Sequence, residues 1–254
     1  MYLSGHTYGA IYMVITSTSN EKIKRLRALC KDKKYRVMYG EYVAEGTIIA
    51  KDMPDEDITG VYLRESESER LQEYFNPDKT FVVKNEIFDS VADTKTPSGV
   101  IATLKIPQRK EISGDVALLL CGLSDAGNVG TIIRTACARG INTVLCVDTA
   151  DPYSPKSVRA SMGGIAKVNV VICDYEEAFR LIEDYALVVL DMGGICIYDY
   201  KKEGKTVIAV GNEAHGVPRV VKEKCAVSLS IPMVEDGVES LNAAVSAAIA
   251  MYLL

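Results

Sequence analysis

Two hydrophobic periods divide the chain. In TSTSNEKIKRLRALC, from Thr16, the apolar positions Ile23, Leu26, Leu29 and Cys30 recur at helical spacing. They predict an amphipathic helix whose polar face is basic. Thr18, Ser19 and Asn20 are candidate N-caps, and Thr18 with Glu21 fits a capping box. Short β-type runs follow at Tyr39–Val43, Val61–Leu63, Thr80–Val83 and Val100–Leu104, with acidic segments such as Glu65–Tyr74 between them. This half reads as a small mixed α/β domain. The polar stretch Lys105–Gly114, which contains Pro107, is the expected boundary, giving domains 1–110 and 111–254. Beyond Asp115 the pattern becomes regular. Apolar runs at Val116–Cys121, Thr143–Val147, Val168–Ile172, Leu187–Leu190, Thr206–Val210 and Val227–Ile231 are mostly separated by helical stretches. That alternation predicts a parallel sheet covered on both faces.

Composition narrows the class. Hydrophobic residues make up 48% and charged residues 25% of the 254, as expected of a folded protein. No apolar run approaches the ~18–20 residues of a membrane span. The opening MYLSGHTYGAIYMVI lacks a basic start and a small-residue cleavage site, so no signal peptide is expected. Seven scattered cysteines, none in C-x-x-C, suit buried thiols in a reducing cytoplasm. The net charge is −5, yet Glu21–Arg36 holds eight basic and two acidic residues. Such a segment in an acidic chain is either a solvated helix face or a phosphate-binding one.

Ligand chemistry is expected at strand ends that run into glycine: Gly122, Gly193–Gly194 and Gly211. In open α/β sheets ligands lie beyond the carboxyl ends of strands. No P-loop and no G-x-G-x-x-G occur, and two histidines without a cysteine cluster make a metal site improbable.

Three segments stand out. LSDAGNVGTIIRTACARG (Leu123–Gly140) has a buried helix face in Ile132, Ile133, Ala136 and Cys137, Arg134 on the helix, and a C-terminal glycine. VIAVGNEAHGVP (Val207–Pro218) puts Asn212 and Glu213 directly after a strand. IPMVEDGVESLNAAVSAAIAMY (Ile231–Tyr252) puts Glu239, Ser240 and Asn242 at the start of a final helix. Taken singly, these are caps, turns and a surface arginine. Together, in order and spacing, they resemble the three signature motifs of the SpoU-type 2′-O-ribose RNA methyltransferases of the SPOUT superfamily. The matching residues are Asn128, Gly130, Arg134, Thr135 and Ala136; Gly211, Asn212, Glu213 and Gly216; and Ile231, Pro232, Met233, Glu239, Ser240, Leu241 and Asn242. Ala126 stands where a proline is common, and the Met233–Glu239 stretch is about one residue longer than usual. Ser154–Gly164 also looks like a family segment. The N-terminal region resembles the family's ribosomal-protein-like RNA-binding domain, through ITSTSNEKIKRLRALCKDKKYR and Tyr42–Gly46.

The resemblance implies a parallel α/β sheet with a C-terminal trefoil knot, a cytoplasmic homodimer, S-adenosylmethionine as cofactor and no metal. Arg134 is implied as the catalytic residue, supported by Asn128, Glu213, Ser240 and Asn242. The cofactor is expected on Gly193, Val210, Gly211, Asn212, Glu213, Ile231, Met233, Leu241 and Asn242. RNA is expected on Lys22, Lys24, Arg25, Arg27, Arg36 and Arg159. A large structured target favours ribosomal RNA. Transfer RNA, or RNA binding without catalysis, is the alternative. The last helix offers one face of Leu241, Val245, Ala248, Ile249 and Tyr252, and a second of Ala243, Ala247 and Ala250.

Overall fold

A computed structural model describes residues 12–108, 111–234 and 237–254. Most of the opening stretch read for a signal peptide, the basic pair at 109–110 and part of the lengthened 233–239 loop lie outside the described residues. The chain separates into two compact units between Ile106 and Pro107.

The first unit is built on a five-stranded mixed sheet. Its elements run β1 (Met13–Ile15), α1 (Glu21–Lys31), α2 (Lys33–Tyr39), β2 (Glu41–Glu45), α3 (Thr47–Lys51), β3 (Ile58–Arg64), α4 (Ser68–Leu71), β4 (Thr80–Val83), α5 (Asn85–Asp89) and β5 (Val100–Lys105). Strand order is β1-β4-β3-β5-β2, parallel from β1 to β3 and antiparallel through β5 to β2. Ile23, Leu26 and Leu29 are fully buried with Val43, Tyr62 and Phe88, so the helical spacing of α1 does face a core. Asn20 is the cap, accepting from the Lys22 backbone at 2.9 Å; the expected Thr18–Glu21 box does not form, and Glu21 pairs instead with Lys24. The run read as a strand from Tyr39 begins two residues later. Gly40 adopts left-handed φ 63° and terminates α2, which claims Tyr39.

The second unit is a six-stranded, all-parallel sheet of order β11-β9-β10-β6-β7-β8. Its elements are β6 (Val116–Cys121), α6 (Ala126–Arg139), β7 (Thr143–Val147), α7 (Pro155–Ser161), α8 (Gly164–Lys167), β8 (Asn169–Ile172), α9 (Tyr175–Leu181), β9 (Ala186–Cys196), β10 (Thr206–Val210), α10 (Arg219–Lys222), β11 (Val227–Ser230) and α11 (Ala243–Leu253). Ala117 through Cys121 are all buried, because helices cover both faces. Ala178 of α9, Ile182 just after it and Val221 of α10 join the core around Leu119, Val189 and Ala209. Helix α11 packs on α6 and β10 through Ala243, Ala244, Ala247 and Ala250.

The order reverses between β6 and β10. The chain leaving β6 continues to β7 on one side, and the chain leaving β10 continues to β11, beyond β9, on the other. Their carboxyl ends are neighbours, with Val210 beside Leu120. Loops diverging from adjacent strand ends leave a crevice, which is where open α/β sheets bind ligands.

One expected glycine turn is absent. Gly193–Gly194 lies inside the long strand β9. A Cβ on Gly194 would stand 2.5 Å from the Ser228 backbone, so that glycine lets β11 approach β9 where their register shifts. The cysteines are all free, but only Cys121 and Cys146 are fully buried; the other five are half-buried.

Candidate active site

The site grows from the two diverging loops. After β6, Gly122 takes left-handed φ 68° and turns the chain; its carbonyl accepts from Asn212 Nδ2 at 2.7 Å. Asp125 then caps α6, accepting from the Gly127 and Asn128 backbone N–H groups, and Lys156 of α7 pairs with it at 2.9 Å. After β10, Asn212 Oδ1 accepts from the Ala214 and His215 backbones at 2.9 and 3.1 Å. Asn212 and Gly216 also exchange backbone hydrogen bonds. The resulting loop is so tight that a Cβ on Gly211 would lie 2.1 Å from the Gly216 backbone. Glycine is therefore obligatory there.

These loops hold Glu213 and Asn128 together. The Glu213 carboxylate accepts from Asn128 Nδ2 at 2.9 Å, from Ser124 Oγ at 3.0 Å and from the Ser124 backbone at 3.2 Å. Asn242 closes the set. Its Oδ1 caps α11 by accepting from Ala244 and Val245, while its Nδ2 donates to Asn128 Oδ1 at 3.0 Å. An ionised carboxylate only accepts, so the Asn128 amide must turn its nitrogen to Glu213 and its oxygen to Asn242. Three segments up to 114 residues apart thus share one hydrogen-bonded cluster. Partial desolvation works to raise the Glu213 carboxyl, but the bonds from Asn128 and Ser124 outweigh it and hold it below the usual range.

A cavity of about 480 Å³ opens beside this cluster. Val210, Gly211, Asn212 and Glu213 line it from β10 and its loop. Ile231, Met233, Ser240 and Leu241 line it from the chain leading to α11. Two expected cofactor residues stand elsewhere. Gly193 is carried off by the continuing strand, and Asn242, between the lining residues Leu241 and Ala243, turns its side-chain amide to Asn128. Leu190, Asp191, Met192 and Lys222 line the cavity and were not anticipated. Asp191, at the end of the expected VVLD strand before the glycine pair, carried a signal that could have found it; Lys222 carried none.

Arg134 does not join the cluster. It lies six residues after Asn128 on α6, about 120° away around the helix at ~100° per residue. It is exposed, does not line the cavity and forms no ion pair with a described residue.

The expected RNA residues of the first unit differ among themselves. Lys22 and Lys24 are exposed on α1. Arg27 donates to Ser90 at 3.1 Å. Arg25 stacks over Tyr39 and pairs with the buried Glu41 at 2.8 Å, so it also neutralises a core carboxylate. Arg36 is the correction: it is only 5% exposed and donates to the Leu29 carbonyl at the end of α1. A guanidinium spent on a helix C-terminus inside the core cannot reach RNA. Arg159, in the second unit, is half-buried on α7. Among the described residues there is no His/Cys/Asp/Glu group able to hold a metal, and no helix long and apolar enough to cross a membrane.

A parallel α/β sheet with a reversal-point cavity, lined by a carboxamide, a carboxylate and a glycine turn, is the architecture of a small-ligand site. Residues 115–252 match the SpoU rRNA Methylase family, and residues 20–102 match the MRM3-like substrate binding domain. The chain belongs to the SpoU rRNA methylase family. It is 28% identical to the 23S rRNA (guanosine(2553)-2′-O)-methyltransferase RlmP of Bacillus subtilis, across 94% of this chain and 98% of that one. It is 33% identical to a 23S rRNA (uridine(2479)-2′-O)-methyltransferase of Streptomyces viridochromogenes, across 58% and 54%. The crystal structure of an AdoMet-bound rRNA methyltransferase from Sinorhizobium meliloti shares the fold, with TM-score 0.83 and 24% identity over 96% of this chain and 97% of that one.

Proposed function

We propose that the chain transfers the methyl group of S-adenosylmethionine to a ribose 2′-hydroxyl of ribosomal RNA. The observation that carries this reading is the Asn128–Glu213–Ser124–Asn242 cluster, which joins all three family motifs at the rim of one cavity. The cavity fits the cofactor. Its volume lies within the ~300–1,000 Å³ of small-molecule sites, and its walls combine Leu190, Val210, Ile231 and Leu241 with a few polar groups. The tight Gly211 turn exposes backbone rather than side chain to whatever lies in it. When bound, the cofactor supplies an electrophilic sulfonium methyl, so no metal is needed to activate it.

The chain's own work is alignment and handling of the hydroxyl proton. Glu213 is a poor proton acceptor, because its depressed carboxyl already accepts three hydrogen bonds. It holds the three motifs in register. Arg134, whose planar guanidinium offers N–H donors and no acceptor, orients and polarises the ribose hydroxyl rather than taking its proton. Because Arg134 faces away from its own chain's cluster, the site is completed by a second chain in a homodimer. The small-residue face of α11 is buried, while Val245, Tyr252 and Leu253 stay exposed and suit the dimer contact. On this reading, the chain that carries Ile231, Met233, Ser240 and Leu241 at the cavity belongs to the trefoil knot of the family. The free thiols fit a reducing cytoplasm.

Ribosomal RNA is favoured over transfer RNA by the 23S rRNA relatives and by the substrate-binding match in the first unit. The test is whether radioactive methyl from the cofactor enters ribosomal RNA at ribose; methylation confined to transfer RNA would support the second target.

A further inference from the structure

Two charged residues of the cavity take no part in the cluster described above. Asp191 sits in β9 and Lys222 ends α10, and their side chains pair with each other. The Gly193 N–H also donates to Asp191 Oδ1 at 3.4 Å. Among the described residues, Lys222 is the sole lysine or arginine lining the cavity. The other lining carboxylates are Glu213, already satisfied by Asn128 and Ser124, and Glu239 near the start of α11. The Asp191 and Lys222 side chains are 28% and 42% exposed, so both remain reachable from solvent. The pairing with Lys222 holds the Asp191 carboxyl below its ordinary range, and the group is charged at neutral pH.

Resting on the methyltransferase reading, we propose that Asp191 and Lys222 clamp the zwitterionic amino-acid end of the cofactor. The Lys222 ammonium takes the α-carboxylate and the Asp191 carboxylate takes the α-ammonium. The chemistry is complementary in sign. A free amino-acid end carries one carboxylate and one ammonium, and the Asp191–Lys222 pair offers one of each. Entry of the zwitterion exchanges one internal ion pair for two intermolecular ones, with no net charge buried. The apolar walls at Val210, Ile231 and Leu241 are then left for the adenosine end. In the free protein Asp191 neutralises Lys222, so the cavity offers no bare cation to unrelated anions.

The experiment compares two thioether ligands by calorimetry on the full chain. S-Adenosylhomocysteine carries the amino-acid end, and 5′-methylthioadenosine has the same adenosine thioether without it. Wild type should bind S-adenosylhomocysteine ~10–100-fold more tightly, the range expected of charged hydrogen bonds. Lys222→Met and Asp191→Asn should each erode that preference, and together reduce it to within about threefold. Methylthioadenosine affinity should stay unchanged, which also reports that the variants remain folded. Lys222→Arg should retain most of the preference. An undiminished preference in the double variant overturns the clamp. Parallel loss of both ligands overturns it too, assigning the pair to the adenosine end or to the cavity's shape. If wild type binds neither ligand, the methyltransferase reading itself fails and the clamp with it.

Discussion

Asn128 is held from two sides, by an acceptor-only carboxylate and by the amide that caps α11. The same cluster fixes the sign of a pH effect at Glu213. Its carboxyl lies lower in the folded chain than unfolded, so its contribution is complete above the unfolded value of ~4.3 and is lost as pH falls through the folded one. Thermal melts of wild type and Glu213→Gln should therefore differ at neutral pH and converge in acid; a gap that persists in acid would deny the ionised carboxylate its role. For Arg134, Arg134→Lys keeps the charge but loses the planar fork, and turnover should fall at least ~10²-fold. Mixing that variant with inactive Asn128→Ala should restore about a quarter of wild-type activity, because half of the random dimers then carry one intact shared site. No recovery on mixing would place Arg134 in its own chain's site. At this scale the motif residues were legible because residue type and spacing carry them. Arg36 was not: a cation in a basic run reads the same whether it faces solvent or a buried carbonyl.

Elements were more legible than their ends. The runs Val116–Cys121, Thr143–Val147 and Thr206–Val210 coincide with β6, β7 and β10, since fully buried parallel strands are continuous apolar stretches. Strand β9 runs six residues beyond its apolar core, through Asp191 and both glycines, because its outer part pairs with β11 at a register shift that no local pattern encodes. Gly130 was read only as a motif position, and it serves packing between helices. A Cβ there would stand 2.2 Å from the Ser157 carbonyl oxygen and 2.7 Å from Ala160 Cβ. Gly130→Ala must separate α6 from α7 and should destabilise the chain by roughly 1–3 kcal/mol despite alanine's better helix propensity. Urea unfolding checks this; an unchanged or raised midpoint would mean that the two helices part freely.

At the scale of the whole molecule, composition hid the division of labour. A net charge of −5 conceals a segment of eight bases, and those on α1 sit in the unit that matches a substrate-binding domain. Neutralising Lys22, Lys24 and Arg27 to glutamine spares Arg25, which pairs with the buried Glu41. RNA affinity should fall, and the log–log salt slope should shrink by about 0.7–0.9 for each RNA phosphate that is no longer neutralised. Cofactor affinity should not move. An unchanged slope would return α1 to an ordinary solvated face. The proposed knot and dimer have no counterpart in hydrophobic period, because both would depend on where a segment passes and not on which face it buries.

Methyl transfer to a ribose 2′-hydroxyl has a direct chemical readout. Ribosomal RNA incubated with the chain and radiolabelled S-adenosylmethionine, without added metal, is hydrolysed in alkali. Cleavage of RNA in base requires a free 2′-hydroxyl, so a 2′-O-methyl group protects the adjoining phosphodiester. Ribose methylation predicts label in alkali-resistant dinucleotides. Label confined to mononucleotides would place the methyl on a base and contradict it, as would RNA that stays unlabelled while the cofactor is bound.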